Sequence, residues 1–119
     1  MAGFHADSSP EARVFNDRFV SETNAVGIKK LGAHHTDAQS YDAIHLFAKV
    51  MKEQNITGSK SNLESERLAI KEGLKTVNFS GILGKNLCFA GNDAELPGYV
   101  IQIKDQKWTL MASHSPDPC

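Results

Sequence analysis

Five histidines and two cysteines, with scattered serines and carboxylates, are the residues of this 119-residue chain whose types could do chemistry. His34, His35 and Asp37 fall within one short segment, which invites a metal-site reading. Adjacent side chains on one segment point apart, however, and no HExxH or CxxC spacing supports a site. His45 lies outside any usual ligand spacing from Asp37. The histidines therefore read as exposed or capping groups, and no metal is expected. Ser40 and Ser80 lack the Gly-x-Ser-x-Gly context of an activated nucleophile. Ser80-Gly81 with Gly84-Lys85 is the nearest approach to an anion-holding loop, but its glycines stand too close together and no Lys-Ser/Thr follows. Asp37 and Asp42 face different sides of a helix and make no acid–base pair. No catalytic set is formed, and no cofactor is expected. Cys88 sits in the apolar run Leu87-Cys88-Phe89, and Cys119 ends the chain behind Pro116 and Pro118. Two readings stand side by side. Either Cys88 is a small buried hydrophobe and Cys119 belongs to a frayed tail, or the two are bridged.

Composition narrows the classes further. A formal net charge of −1, with 23% charged residues, lacks the basic surplus that nucleic-acid binding requires. Hydrophobic residues make up 40%, too many for a disordered chain, yet no run is long enough to span a bilayer. The residues after Met1 form neither a basic nor an apolar signal region. The length fits one domain.

The elements that would position these residues follow from capping and periodicity. Ser8-Ser9-Pro10-Glu11 opens a first helix, with Ala12, Phe15 and Phe19 on one face, which should end near Thr23-Asn24. Val26–Ile28 reads as a short extended piece in a glycine-punctuated loop. Thr36 or Asp37 should cap a second helix, along which Ala38, Tyr41, Ile44, His45, Ala48 and Met51 recur at helical spacing. Leu46 and Phe47 widen that stripe until the helix is nearly apolar enough to be wedged between other elements. Ser61 and Glu64 read as a capping box for a third helix, with Leu63, Arg67, Ile70 and Leu74 on one face. Gly73 costs about 1 kcal/mol against alanine there, so that end is either frayed or closely packed. From Val77 the period changes. Leu87–Ala90 reads as a short strand, Gly91-Asn92-Asp93 as a turn, and Tyr99–Lys104 alternates with Tyr99, Ile101 and Ile103 on one face. Asp105-Gln106 then reverses the chain into Lys107–Met111, a hairpin signal. Three amphipathic helices thus precede strands bunched at the C-terminal end, too few to form the sheet those helices would cover.

Several segments in order carry a family resemblance: Ser40-Tyr41-Asp42-Ala43-Ile44-His45-Leu46-Phe47-Ala48, the helix end Ile70–Leu74, Phe79-Ser80-Gly81-Ile82-Leu83-Gly84, the Gly-Asn-Asp turn, and Tyr99-Val100-Ile101-Gln102-Ile103-Lys104-Asp105-Gln106-Lys107-Trp108. From about Ala2 to Leu110 the chain resembles the C-terminal third of the periplasmic solute-binding proteins of branched-chain amino acid (Leu/Ile/Val) ABC transporters, the type I periplasmic binding fold. It departs from that pattern at Ser40 and Gln106, where the family commonly has glycine, and at Thr36, where it commonly has an aromatic residue.

The resemblance implies an α/β fold: a partial lobe of the type I periplasmic binding fold, three helices followed by a C-terminal β-hairpin region. Residues 1–112 would be the C-terminal portion of the solute-binding domain and 113–119 a tail. It implies a non-enzymatic, extracytoplasmic protein that delivers a branched-chain or related amino acid to an ABC permease, in the periplasm. The absence of a signal peptide is uninformative for such a piece. The loop entering the second helix, His35, Thr36, Asp37 and Ala38, would correspond to a ligand-facing edge. A part-lobe of this kind should expose Phe15, Ile44 and Phe47 and could pair with a second copy through its helix faces. The alternative is a small, non-catalytic α+β interaction or sensor domain whose resemblance is incidental.

Overall fold

A computed structural model describes residues 3–116. They form three α-helices and two small antiparallel sheets, a mixed α and β architecture: α1 (Pro10–Ala25), α2 (His35–Glu53), α3 (Leu63–Thr76), β1 (Phe89–Ala90), β2 (Asp93–Ala94), β3 (Gly98–Lys104) and β4 (Lys107–His114). β1 pairs with β2 and β3 with β4.

α1 starts where its local chemistry dictates. The Ser9 hydroxyl accepts the Ala12 N–H at 3.0 Å, and Pro10 occupies the first turn, where its missing N–H costs nothing. Val26–Ile28, expected as a short extended piece, forms no strand. α2 begins two to three residues earlier than expected. His34 is the cap residue and Asp37 reaches back to accept its N–H at 2.8 Å, so Asp37 acts from the first turn instead of heading it. The helix stops at Gln54, after which Asn55 turns left-handed at φ 52°.

The capping box expected from Ser61 and Glu64 does not form. Lys60–Asn62 tightens into a 3-10 turn, and Asn62 heads α3 without a side-chain cap. Glu66 takes up the preceding loop instead, accepting from the Thr57 hydroxyl, the Thr57 N–H and the Gly58 N–H. These bonds, the Thr57 hydroxyl foremost, hold its carboxyl below the usual range. Gly73 is closely packed, not frayed. A Cβ there would lie 2.8 Å from Val50 Cγ1, and Val50 is the largest fully buried side chain. The α2–α3 contact therefore depends on a bare backbone at Gly73, which explains a glycine in a helix interior.

The core gathers Phe4, Ala12, Ala38, Val50, Val77, Phe79, Ile82, Leu83 and Leu87, so α1 and α2 pack on the loop that follows α3. Leu87 is not part of a four-residue strand. It pairs with Phe79 across an isolated bridge, their N–H and carbonyl groups exchanging bonds of 2.7 and 2.9 Å, and only Phe89–Ala90 runs on as β1. Phe15, expected to be exposed, is half-buried. Its ring meets Phe4 edge-on at 5.9 Å and Tyr41 at 4.9 Å.

One buried charged side chain organises this core. Asp42 points from α2 into the loop and accepts the N–H groups of Ile82 at 3.0 Å and Leu83 at 2.8 Å. Gly81 stands so close that a Cβ would run into both carboxylate oxygens. The loop closes on itself through Gly81 N–H to the Gly84 carbonyl, and the buried Tyr99 hydroxyl donates to the Leu83 carbonyl at 2.9 Å, fastening the start of β3 to the same loop.

β3 and β4 form a two-residue hairpin, with Lys104 opposite Lys107. Asp105 and Gln106 both take positive φ, 49° and 62°, the geometry whose twist suits a tight hairpin. The register shifts between Val100 and Ile101, leaving Met111 as the extra residue on β4. Tyr99, Ile101 and Ile103 share a face as expected, but burial fades along it from buried to half-buried to exposed. β4 continues through Ser113 and His114, past the expected boundary at 112; residues 117–119 of the expected tail lie outside the described residues.

The chain is flat. It measures 57 × 38 × 19 Å with a radius of gyration of 16.8 Å, against about 13.5 Å for a compact chain of this length. Its accessible surface is 8536 Å², roughly 2,200 Å² more than a compact protein of this mass exposes.

Replacing Asp42 by alanine leaves the Ile82 and Leu83 N–H groups buried without acceptors, at a cost of about 2–4 kcal/mol. Asp42→Asn keeps one acceptor oxygen and should cost less. Urea unfolding of both variants checks the order. Equal stability of Asp42→Ala and wild type would refute the anchoring role.

Candidate functional site

The expected ligand-facing residues sit on the first turn of α2, and the structure separates them. His35 is half-buried and its ring lies 3.9 Å, centre to centre, from that of His34. Thr36 is exposed, its hydroxyl 3.3 Å from His34 Nδ1. Asp37 is engaged on the helix cap, and Ala38 is fully buried in the core. Of the four, only His35 lines the large groove at this end of the molecule.

That groove encloses about 640 Å³ and is built from four stretches of chain: the N-terminal segment, α1, the loop into α2 and the tip of the hairpin. Its volume is that of ordinary small-molecule sites. α1 supplies Arg13 and Asn16, the loop His34 and His35, and the hairpin Lys107 and Trp108. Asn16 Oδ1 accepts the Ala33 N–H at 2.9 Å, which ties the loop to α1 and sets the height of the two histidines. Arg13 pairs with Asp7 at the rim.

His5 joins the N-terminal segment to the hairpin. Its Nδ1 accepts the Asp7 N–H at 3.1 Å, which makes Nε2 the protonated nitrogen, and Nε2 donates to the Trp108 carbonyl at 3.4 Å. Trp108 leaves 64% of its surface exposed beside the groove. The groove thus presents Arg13, Lys107 and the imidazoles against one carboxylate, that of Asp7. Chemically this arrangement can receive a small anion or carboxylate and stack a flat or apolar group on Trp108. Sequence reasoning missed Arg13, Asn16, Lys107 and Trp108, whose convergence is a property of the fold.

The loop read as an imperfect anion holder does hold an anion. Its Ile82 and Leu83 N–H groups are aimed at the chain's own Asp42 carboxylate. A smaller cavity of about 290 Å³ beside it is lined by Tyr41, Asp42, His45, Ser80 and Lys85 among others. Ser80 Oγ accepts the Asn86 N–H there, and His45 lies 4.5 Å from the Tyr41 ring. Among the described residues no three His, Cys, Asp or Glu side chains come together to hold a metal ion, and no helix is long and apolar enough to cross a membrane. Cys88 is disulfide-bonded, which decides against the simple buried thiol; Cys119 lies outside the described residues.

Comparison with known protein families, curated proteins and solved structures finds no match to this chain.

His5→Ala should remove both the acceptor for Asp7 and the tie to Trp108. Amide exchange at Asp7 should speed up about fivefold, the equivalent of about 1 kcal/mol, with a shift in tryptophan emission. Unchanged exchange and emission would show that His5 does not hold the groove together.

Proposed function

We propose that this chain is the C-terminal part of an extracytoplasmic solute-binding protein of the branched-chain amino acid ABC-transporter type. It belongs to a module that carries a small amino acid to a permease and performs no chemistry on it. The observation that carries the reading is the two-sidedness of α2. One face enters the core through Ala38, Asp42, Leu46 and Val50, while the opposite face carries Ile44, Phe47 and Met51 into solvent, with Tyr41 at its edge partly covered by the Phe15 ring. A helix with apolar residues on two opposite faces suits a place between two layers, and the flat shape fits a cover layer whose sheet lies elsewhere. A partial lobe of the type I periplasmic binding fold has this character. The disulfide at Cys88 fits an oxidising compartment such as the periplasm.

The groove supports the ligand class in part. Lys107 with His34 and His35 suits the carboxylate of an amino acid, Arg13 being already paired to Asp7. The ammonium end needs acceptors, and the groove's one carboxylate, Asp7, is paired to Arg13. On this reading the remaining half of the clamp comes from the rest of the whole protein. Calorimetry of the isolated chain with leucine should therefore give a Kd weaker than about 1 mM. Micromolar binding would overturn the incomplete-clamp reading.

A further inference from the structure

We propose that, in the isolated chain, the open face of α2 is an interface with a second copy of the same chain, the two helices packing antiparallel about a two-fold axis. Tyr41, Ile44, Phe47 and Met51 are 43%, 71%, 45% and 40% exposed, and Ala48, also exposed, lies among them. The stripe carries no charged side chain between its ends. It stands apart from the groove, whose lining includes none of its members.

Three observations name a second copy as the occupant. The first is spacing. Tyr41, Ile44, Ala48 and Met51 follow a 3-4-3 repeat, the seam along which helices pack knobs into holes. That repeat is self-complementary when reversed. Set antiparallel, Tyr41 of one copy meets Met51 of the other, and Ile44 meets the small Ala48, large side chain into gap. An isologous pair needs this self-complementarity.

The second is charge. α2 has Asp37 in its first turn and Lys52 in its last. Antiparallel pairing brings Asp37 of each copy toward Lys52 of the other, Glu53 being already paired with Lys49, and opposes the two helix dipoles favourably. Parallel pairing would place like ends together.

The third is area. A stable dimer removes about 600–1,000 Å² from each partner. This chain exposes roughly 2,200 Å² beyond a compact protein of its mass, more than one partner of such a dimer needs to cover. Pairing on the α2 face would cover part of that surface. The inference does not depend on the solute-binding reading, because it concerns the α2 face alone and not the groove.

Sedimentation velocity of the full chain between about 5 and 200 µM tests it, a range in which weak to moderate dimers dissociate. The expected result is a monomer–dimer equilibrium that Ile44→Glu weakens at least 30-fold, the effect of a charge at a buried hot spot. Ala48→Arg should do the same, while Leu68→Glu on the exposed side of α3 should leave it unchanged, all three keeping their helical circular dichroism. A monomer at 200 µM, a dimer indifferent to Ile44→Glu and Ala48→Arg, or growth beyond the dimer would each overturn the proposal. So would loss of helical signal in both α2 variants, since that would place the stripe inside the fold.

Discussion

The fold turns on one carboxylate. Asp42 leaves water to lie between α2 and the loop that follows α3, a transfer that is costly unless its oxygens are fully engaged. They are engaged by the Ile82 and Leu83 N–H groups, and Gly81 grants the approach by having no side chain. Charge-assisted bonds of this kind are stronger than neutral ones. Once the loop is pinned, Ile82 and Leu83 enter the core, Phe79 pairs with Leu87, and the Leu83 carbonyl is positioned for the Tyr99 hydroxyl. One contact between residues forty positions apart thus connects the helical half to the hairpin half.

The same helix carries much of what the molecule leaves uncovered. α2 spends its Asp42 side on the core and keeps an equally apolar side in solvent. The hairpin is comparably unsupported: Tyr99 is buried, but Ile103 and Trp108 at its far end are not. Two-stranded sheets are marginal by themselves, so this one leans on the Tyr99 and His5 bonds. A flat body, a helix with two apolar faces and a projecting hairpin are one property seen three ways. Each leaves apolar surface uncovered by the rest of the described chain.

How much of this was legible in the sequence depended on the distance between partners. Ser9-Pro10 announced α1 because a cap is made within three residues. The body of α2 was legible in its spacing, and so was its excess of apolar residues. The Asp105-Gln106 reversal was legible too, although Gln106 occupies a left-handed position where glycine is easier. Reading failed where two local partners competed. Ser61 and Glu64 satisfy the pattern of a capping box, yet Glu66 commands the loop through three bonds to Thr57 and Gly58. Helix spacing marks Asp42 as one of two carboxylates on different sides of a helix, and the resemblance counts it in the Ser40–Ala48 segment, but neither gives it a structural partner. Its purpose lay in N–H groups of a distant loop, which no periodicity reports. The candidate site was the least legible. Only His35 of the expected four lines the groove, because its walls come from four separate stretches and no single one carries the pattern.

The most direct test of the Asp42 anchor is a double-mutant cycle with Gly81, measured by urea unfolding of Asp42→Ala, Gly81→Ala and the pair. If the glycine exists to admit the carboxylate, Gly81→Ala should be strongly destabilising in wild type and mild once Asp42 is gone, with a coupling above about 1 kcal/mol. Costs that add to within about 0.5 kcal/mol would show two independent sites and would contradict the account.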